Sequence, residues 1–150
     1  MKMEGNANDS PRGRSRHVEL SLDQLVELQP GLGRLMPEVS RRYWVLYYAA
    51  RGGNWELAAF QLRQIVNLFR IGSMTRPKMA KHLEAFRLGT LEPLAKTIEN
   101  RDAEGFEATY REGIASANRF HGVVDHPEVR WKLPDEPPAD LDLGPPKQAS

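Results

Sequence analysis

The sequence predicts an all-α fold: an up-down-up-down four-helix bundle with a short N-terminal helix and a Pro-rich extended C-terminal tail. Three observations carry that expectation. Apolar residues recur at spacings of three and four between Pro37 and Gly122, the signature of helices that bury one face. No stretch in that interval alternates with the period of two that a half-buried strand requires. The links between the periodic stretches are only two to five residues long, which joins antiparallel neighbours.

Residues 1–20 are polar and carry Arg12, Arg14, Arg16 and His17, so they read as a disordered basic arm. A short helix starts at Ser21, where Ser21 and Gln24 have capping-box spacing and Leu22, Leu25, Val26 and Leu28 give an apolar face. Pro30, Gly31 and Gly33 end it. The first long helix is expected from Pro37, in the role of a first-turn proline, to Arg51, with Gly52-Gly53 as its stop. Asn54 caps the second, which carries Trp55, Ala58, Ala59, Leu62, Ile65, Val66 and Phe69 on one stripe and closes at Gly72. A third opens at Thr75-Arg76-Pro77 and runs to Ile98, with a break near Gly89 to Leu91 because Pro93 lies inside the pattern. The fourth begins at Asp102, shows Phe106, Tyr110, Ile114, Ala117 and His121 inward, and ends at Gly122. The bundle domain is placed at 21–138, with Trp131 packing an extended segment along it, and 139–150 as a mobile tail.

Composition narrows the functional classes. The chain of 150 residues has 40% hydrophobic and 27% charged residues and a mean hydropathy of -0.57, ordinary for a water-soluble domain. Its longest apolar run, around Trp44 to Ala50, falls far short of the roughly 18 residues of a spanning helix, so no membrane role is expected. A net charge of +1 supplies no field to attract nucleic acid. The polar N-terminus offers no signal-peptide core, which reads as cytoplasmic. Without cysteine there is no disulfide, thiolate metal site or thioether-linked haem.

Motifs for catalysis are equally sparse. The residues three before His17, His82, His121 and His126 are Arg14, Met79, Asn118 and Val123, so the Glu-x-x-His pairs of di-iron bundles are missing. No phosphate loop, zincin spacing or nucleophile elbow occurs. No metal and no catalytic residue is therefore expected. Two features stand out as ligand-binding candidates. Trp44, Tyr47, Tyr48, Trp55 and Phe60 form an aromatic cluster where the first long helix meets the second, and His121, beside Phe120, points an imidazole to the bundle interior or its open end. Charge is also uneven: Arg63, Arg70, Arg76, Lys78 and Lys81 fall in a run without acids, while Asp135, Glu136, Asp140 and Asp142 fall in one without bases.

These residues carry a resemblance. Tyr43-Trp44-Val45-Leu46-Tyr47-Tyr48-Ala49-Ala50, followed by Gly53-Asn54-Trp55-Glu56-Leu57-Ala58, is similar to the first helical hairpin of small bacterial four-helix c-type cytochromes of the cytochrome c'-like kind. Those chains end their fourth helix in Cys-Asn-x-Cys-His before a Pro-rich tail, and here Ala117-Asn118-Arg119-Phe120-His121 is followed by Val129-Arg130-Trp131, Pro134 and Pro137-Pro138. The resemblance spans about residues 40 to 138 and implies the same bundle, with His121 at the position of the iron ligand. Ala117 and Phe120 stand at the positions of the cysteines that bond haem, so covalent haem is not implied.

The functional expectation is a non-catalytic bundle that binds a partner protein or a small apolar ligand, with no cofactor. The alternatives are non-covalent b-type haem held through His121, with a redox or sensing role, and a cofactor-independent enzyme using the aromatic cluster. Tyr43, Trp44 and Tyr47 cover more than one face of their helix, which predicts a second buried surface and a homodimer.

Overall fold

The computed structural model describes residues 11–147 and is mostly helical. It divides into two compact units, residues 1–30 and 31–150, each taken by itself below. In the first, strands β1 (Arg12–Arg14) and β2 (Glu19–Ser21) pair antiparallel, with Gly13 opposite Leu20. The expected disordered arm is thus corrected over its described part. Ser15 makes the difference: its hydroxyl accepts from the backbone N–H groups of His17 and Val18, and its own N–H donates to the Val18 carbonyl, so the chain reverses there. Residues 1–10 of that arm lie outside the described residues. Helix α1 (Leu22–Glu27) follows, with both halves of the Ser21–Gln24 capping box formed.

The second unit holds three long helices, α2 (Leu32–Arg51), α3 (Trp55–Thr75) and α6 (Ala103–Val123), and two short ones, α4 (Ala80–Phe86) and α5 (Glu92–Glu99). Asn54 and Asp102 cap α3 and α6 by accepting from Leu57 N–H and Gly105 N–H. Pro37 is not in the first turn of α2. The helix starts five residues earlier because Leu35 and Val39 extend the buried stripe of Tyr43, Leu46 and Ala50 backwards, and burying them offsets the hydrogen bond that proline forfeits. The Gly31 to Gly33 stretch is accordingly the N-cap and first turn of α2, with Gly31 as cap. Gly72 does not close α3 either. It is buried inside the helix, where a Cβ would press on Leu32 and Leu83, so its smallness lets α2 and α4 approach.

The break foreseen around Gly89 takes the form of one π turn, Arg87–Leu91, between α4 and α5. Pro93 has no N–H to give, and Glu92 N–H reaches back five residues to the Arg87 carbonyl. The core runs along α2, α3, α5 and α6 through Val39, Leu46, Ile65, Leu94, Phe106 and Tyr110, all almost wholly buried.

Past α6 the described chain has neither helix nor strand, yet it is tied down. Asn118 donates to the Trp131 carbonyl and accepts from its N–H at 2.9 and 2.7 Å, Tyr48 hydroxyl donates to the Pro134 carbonyl, and Trp44 Nε1 to that of Glu136. The expectation of a free tail from Ala139 fails for residues 139–147. Leu143 is buried, Asn54 Nδ2 donates to the Gly144 carbonyl at 2.9 Å, and Asp140 pairs with Arg41. The apolar period was too short to flag Leu143 in advance. Trp44 is thereby partly covered by the chain's own C-terminal segment, so the extra face of α2 no longer argues for a second copy.

Candidate functional site

The two sequence candidates lie in different surroundings. At the aromatic cluster the space is filled. Tyr43 and Tyr110 stack with ring centroids 4.1 Å apart, and each hydroxyl donates to the other residue's backbone carbonyl at 2.8 Å. Burial drives both phenols far above their usual range. Gly113 makes the stack possible, since a Cβ there would collide with the Tyr43 hydroxyl. Tyr47 stands beside Tyr110 and donates to Glu107 Oε1 at 3.1 Å, Tyr48 sets its ring edge-on to Tyr47, and Trp55 sets its ring edge-on to Phe106. Phe60 is not part of this cluster: it is 43% exposed and faces out from α3 on the same side as the exposed Glu56 and Arg63, about one helical turn before and after it. Every tyrosine hydroxyl of the cluster is engaged by protein, while Glu107 Oε2 is buried without a hydrogen bond and lies 3.9 Å from Arg51 Nη1.

The other candidate, His121, opens on a cavity of about 500 Å³, within the usual size of small-molecule sites. α2 contributes Leu32 and Met36, α3 Phe69, α4 His82, Leu83 and Phe86, and α6 Ala117, Phe120 and His121; Val124, His126, Val129 and Trp131 complete the wall. Three of the four histidines of the chain meet here. The helical period explains two of them. His82 lies three residues after Met79 and four before Phe86, and His121 four after Ala117, so both follow inward stripes. His82 could have been found by that spacing; His126 comes after the helix stop, where no period applies.

The imidazoles are positioned by aromatic edges. His82 meets Phe120 edge-on at 6.1 Å and His121 meets Trp131 at 6.0 Å, while Phe120 itself leans edge-on against Phe86. Trp131 is in turn fixed by the Asn118 clamp, so the residue pair singled out in the Ala117-Asn118-Arg119-Phe120-His121 stretch builds the wall: Asn118 holds Trp131 and Trp131 orients His121. His121 Nδ1 is buried without a hydrogen-bond partner, an expensive condition in a lining that is otherwise mainly apolar. His126 Nδ1 lies 2.9 Å from Glu128 Oε1. Among the described residues no group of three or more metal-ligating side chains converges, so the three imidazoles form no metal centre by themselves.

A smaller hollow of about 290 Å³ lies on the far side of Trp131, lined by Arg41, Trp44, Arg130, Lys132 and the edges of the Tyr43–Tyr110 stack. Of the residues expected to bind ligand, Phe120 and His121 therefore share the large cavity, Trp44 borders the small one, and Tyr47, Tyr48, Trp55 and Phe60 line neither. No helix among the described residues is long and apolar enough to cross a membrane. Set against protein-family models, curated proteins and solved structures, the chain matches none.

Proposed function

We propose that this chain is a non-catalytic binding protein, an up-down-up-down four-helix bundle on a cytochrome c'-like scaffold, that takes a small apolar ligand in the cavity beside His121. One observation carries the reading: a roomy, mainly apolar cavity is walled by Phe69, Phe86, Phe120 and Trp131 and has the ring of His121 among its lining residues. The neutral fluorophore phenylnaphthylamine tests it. Saturable binding at one site, abolished by Ala117→Phe, is the expected result, since Ala117 is buried in the wall and a benzyl group there would occupy the hollow. No saturable binding would overturn the reading.

The imidazole of His121 in that wall favours a second reading, non-covalent b-type haem. The residues present fit that group in one respect: His121 would ligate the iron and the aromatic wall would hold the porphyrin, whose chemistry would be redox or gas binding. Ala117 and Phe120 leave no thiol for covalent attachment. Titration with haem distinguishes the two, the second requiring a Soret shift that His121→Ala abolishes.

A further inference from the structure

The titratable residues lining the large cavity are all of one kind. Arg76, His82, His121 and His126 contribute to it, and no Asp or Glu does. His126 is partly spoken for, because Glu128 lies against its Nδ1 and its carboxyl is held below the usual range by that contact. Arg76 carries a permanent charge. It lies close over the backbone of Gly31, where a Cβ would collide with the guanidinium, and its Nη1 donates to the Thr75 carbonyl at 2.7 Å. That places it at the start of α2, whose first two residues, Leu32 and Gly33, also line the cavity. This helix end has no side-chain cap and no acidic residue in its first turn, so its positive dipole end adds to the guanidinium instead of being neutralised. Lys78 and Lys81, both exposed, extend the same sign along the neighbouring turn. An apolar cavity with a one-signed polar lining selects by charge as well as by hydrophobicity.

We infer that the ligand of this cavity is an organic monoanion, its apolar body against Phe69, Phe86 and Trp131 and its acidic head group met by Arg76, His82 and His121. Resting on the ligand-site reading above, this names the chemical class of the occupant. The head group supplies what the cavity lacks: acceptor oxygens for a guanidinium and for imidazole N–H groups. A neutral hydrocarbon would fill the space and offer these groups no acceptor.

A matched pair of probes tests the inference on the full chain. Anilinonaphthalene sulfonate and phenylnaphthylamine share one ring system and differ by the sulfonate, and the neutral member is the more hydrophobic. A purely apolar cavity therefore prefers the neutral probe. The inference requires the opposite, with the sulfonate binding about tenfold more tightly. The double variant R76Q/H82Q should bring the ratio of the two affinities from about ten to about one, while Ala117→Phe should abolish binding of both probes with the helical circular dichroism intact. Saturable binding of both probes with no preference for the sulfonate overturns the inference and leaves the ligand site standing. Sulfonate binding that survives Ala117→Phe, or a preference that survives the double variant, places the anion elsewhere and also overturns it. Absence of saturable binding by either probe overturns the ligand site itself.

Discussion

The aromatic cluster and the histidine cavity are built on the same two long helices, α2 and α6, and differ in what each does with its polar atoms. Tyr43 and Tyr110 exchange hydroxyl-to-carbonyl hydrogen bonds inside a close stack, and Tyr47 and Tyr48 each find an acceptor. A turn or two along α6, Ala117 is too small to fill the space opposite it, and the next inward residue, His121, keeps a nitrogen unpaired. Close packing stabilises an interior, and a void or an unsatisfied polar group costs free energy; the cluster keeps one such atom, Glu107 Oε2, but no large void. The first region is the part of the molecule that holds it together. The second leaves space open.

Truncation tests this division most severely. Tyr110→Ala should lower unfolding free energy by about 3–5 kcal/mol in urea, the usual range for deleting a buried aromatic. Phe120→Ala on the cavity wall should cost about 1–2 kcal/mol, because Phe120 is half-buried and already borders open space. Equal losses would mean that the cavity wall is as tightly packed as the cluster, and the contrast would be wrong.

The next effect in size concerns the C-terminal segment, which touches both regions. Ending the chain after Gly122 removes Trp131 from the cavity and the acceptors of Trp44 and Tyr48 from the cluster. Burial of Trp131 alone contributes up to about 3 kcal/mol, and at about 2–4 °C per kcal/mol for a chain of this size the melting temperature should fall by several degrees. Ending it after Pro138 should produce a smaller but measurable drop, through loss of buried Leu143 and of the Asn54 and Arg41 contacts. A melting temperature unchanged by the longer deletion would show that the segment does not support the helices.

How legible the two regions were in the sequence follows from the same physics. Helix periodicity located α3 and α6 and their caps Asn54 and Asp102, because a stripe of apolar residues and a short polar cap are local signals. It missed the start of α2, where the rule that proline belongs in a first turn was outweighed by burial of Leu35 and Val39. Glycine misled in the same way: Gly72 reads as a stop but serves as a gap for Leu32 and Leu83, a fact about partners distant in the chain. Of the site, His121 was legible from its stripe and Phe120 from its neighbourhood. Whether aromatic side chains fill a space or line one depends on residues such as Gly113 and Ala117 across from them, and no periodicity in a single segment contains that information. Most of the tail's hydrogen bonds run from Trp, Tyr and Asn side chains to its backbone, which any sequence supplies.

The smallest expected effect isolates the filled region by pH. Burial acts to raise the Glu107 carboxyl, but hydrogen bonds from Arg111 and from the Tyr47 hydroxyl, together with the charges of Arg111 and Arg51, hold it below the ordinary range. A carboxyl lowered in the folded state contributes stability that is fully present above its unfolded value, about 4.3, and is lost as pH falls through the lower folded value. Glu107→Gln keeps an oxygen that can accept from Tyr47 but removes the charge. At neutral pH the variant should therefore be less stable than the parent, and the gap should close as the pH range is taken from neutral down through about 4.3 and below. Other lowered carboxyls, Asp140 beside Arg41 and Glu84 beside Arg87, act in both proteins and cancel from the difference. The gap should be smaller than either loss above, because the Glu107 side chain retains 27% exposure and water screens its partners. Urea midpoints for the two proteins across that range measure it. A gap that stays constant with pH would mean that Glu107 serves the aromatic cluster by shape alone, and that the network around Tyr47 is not held by charge.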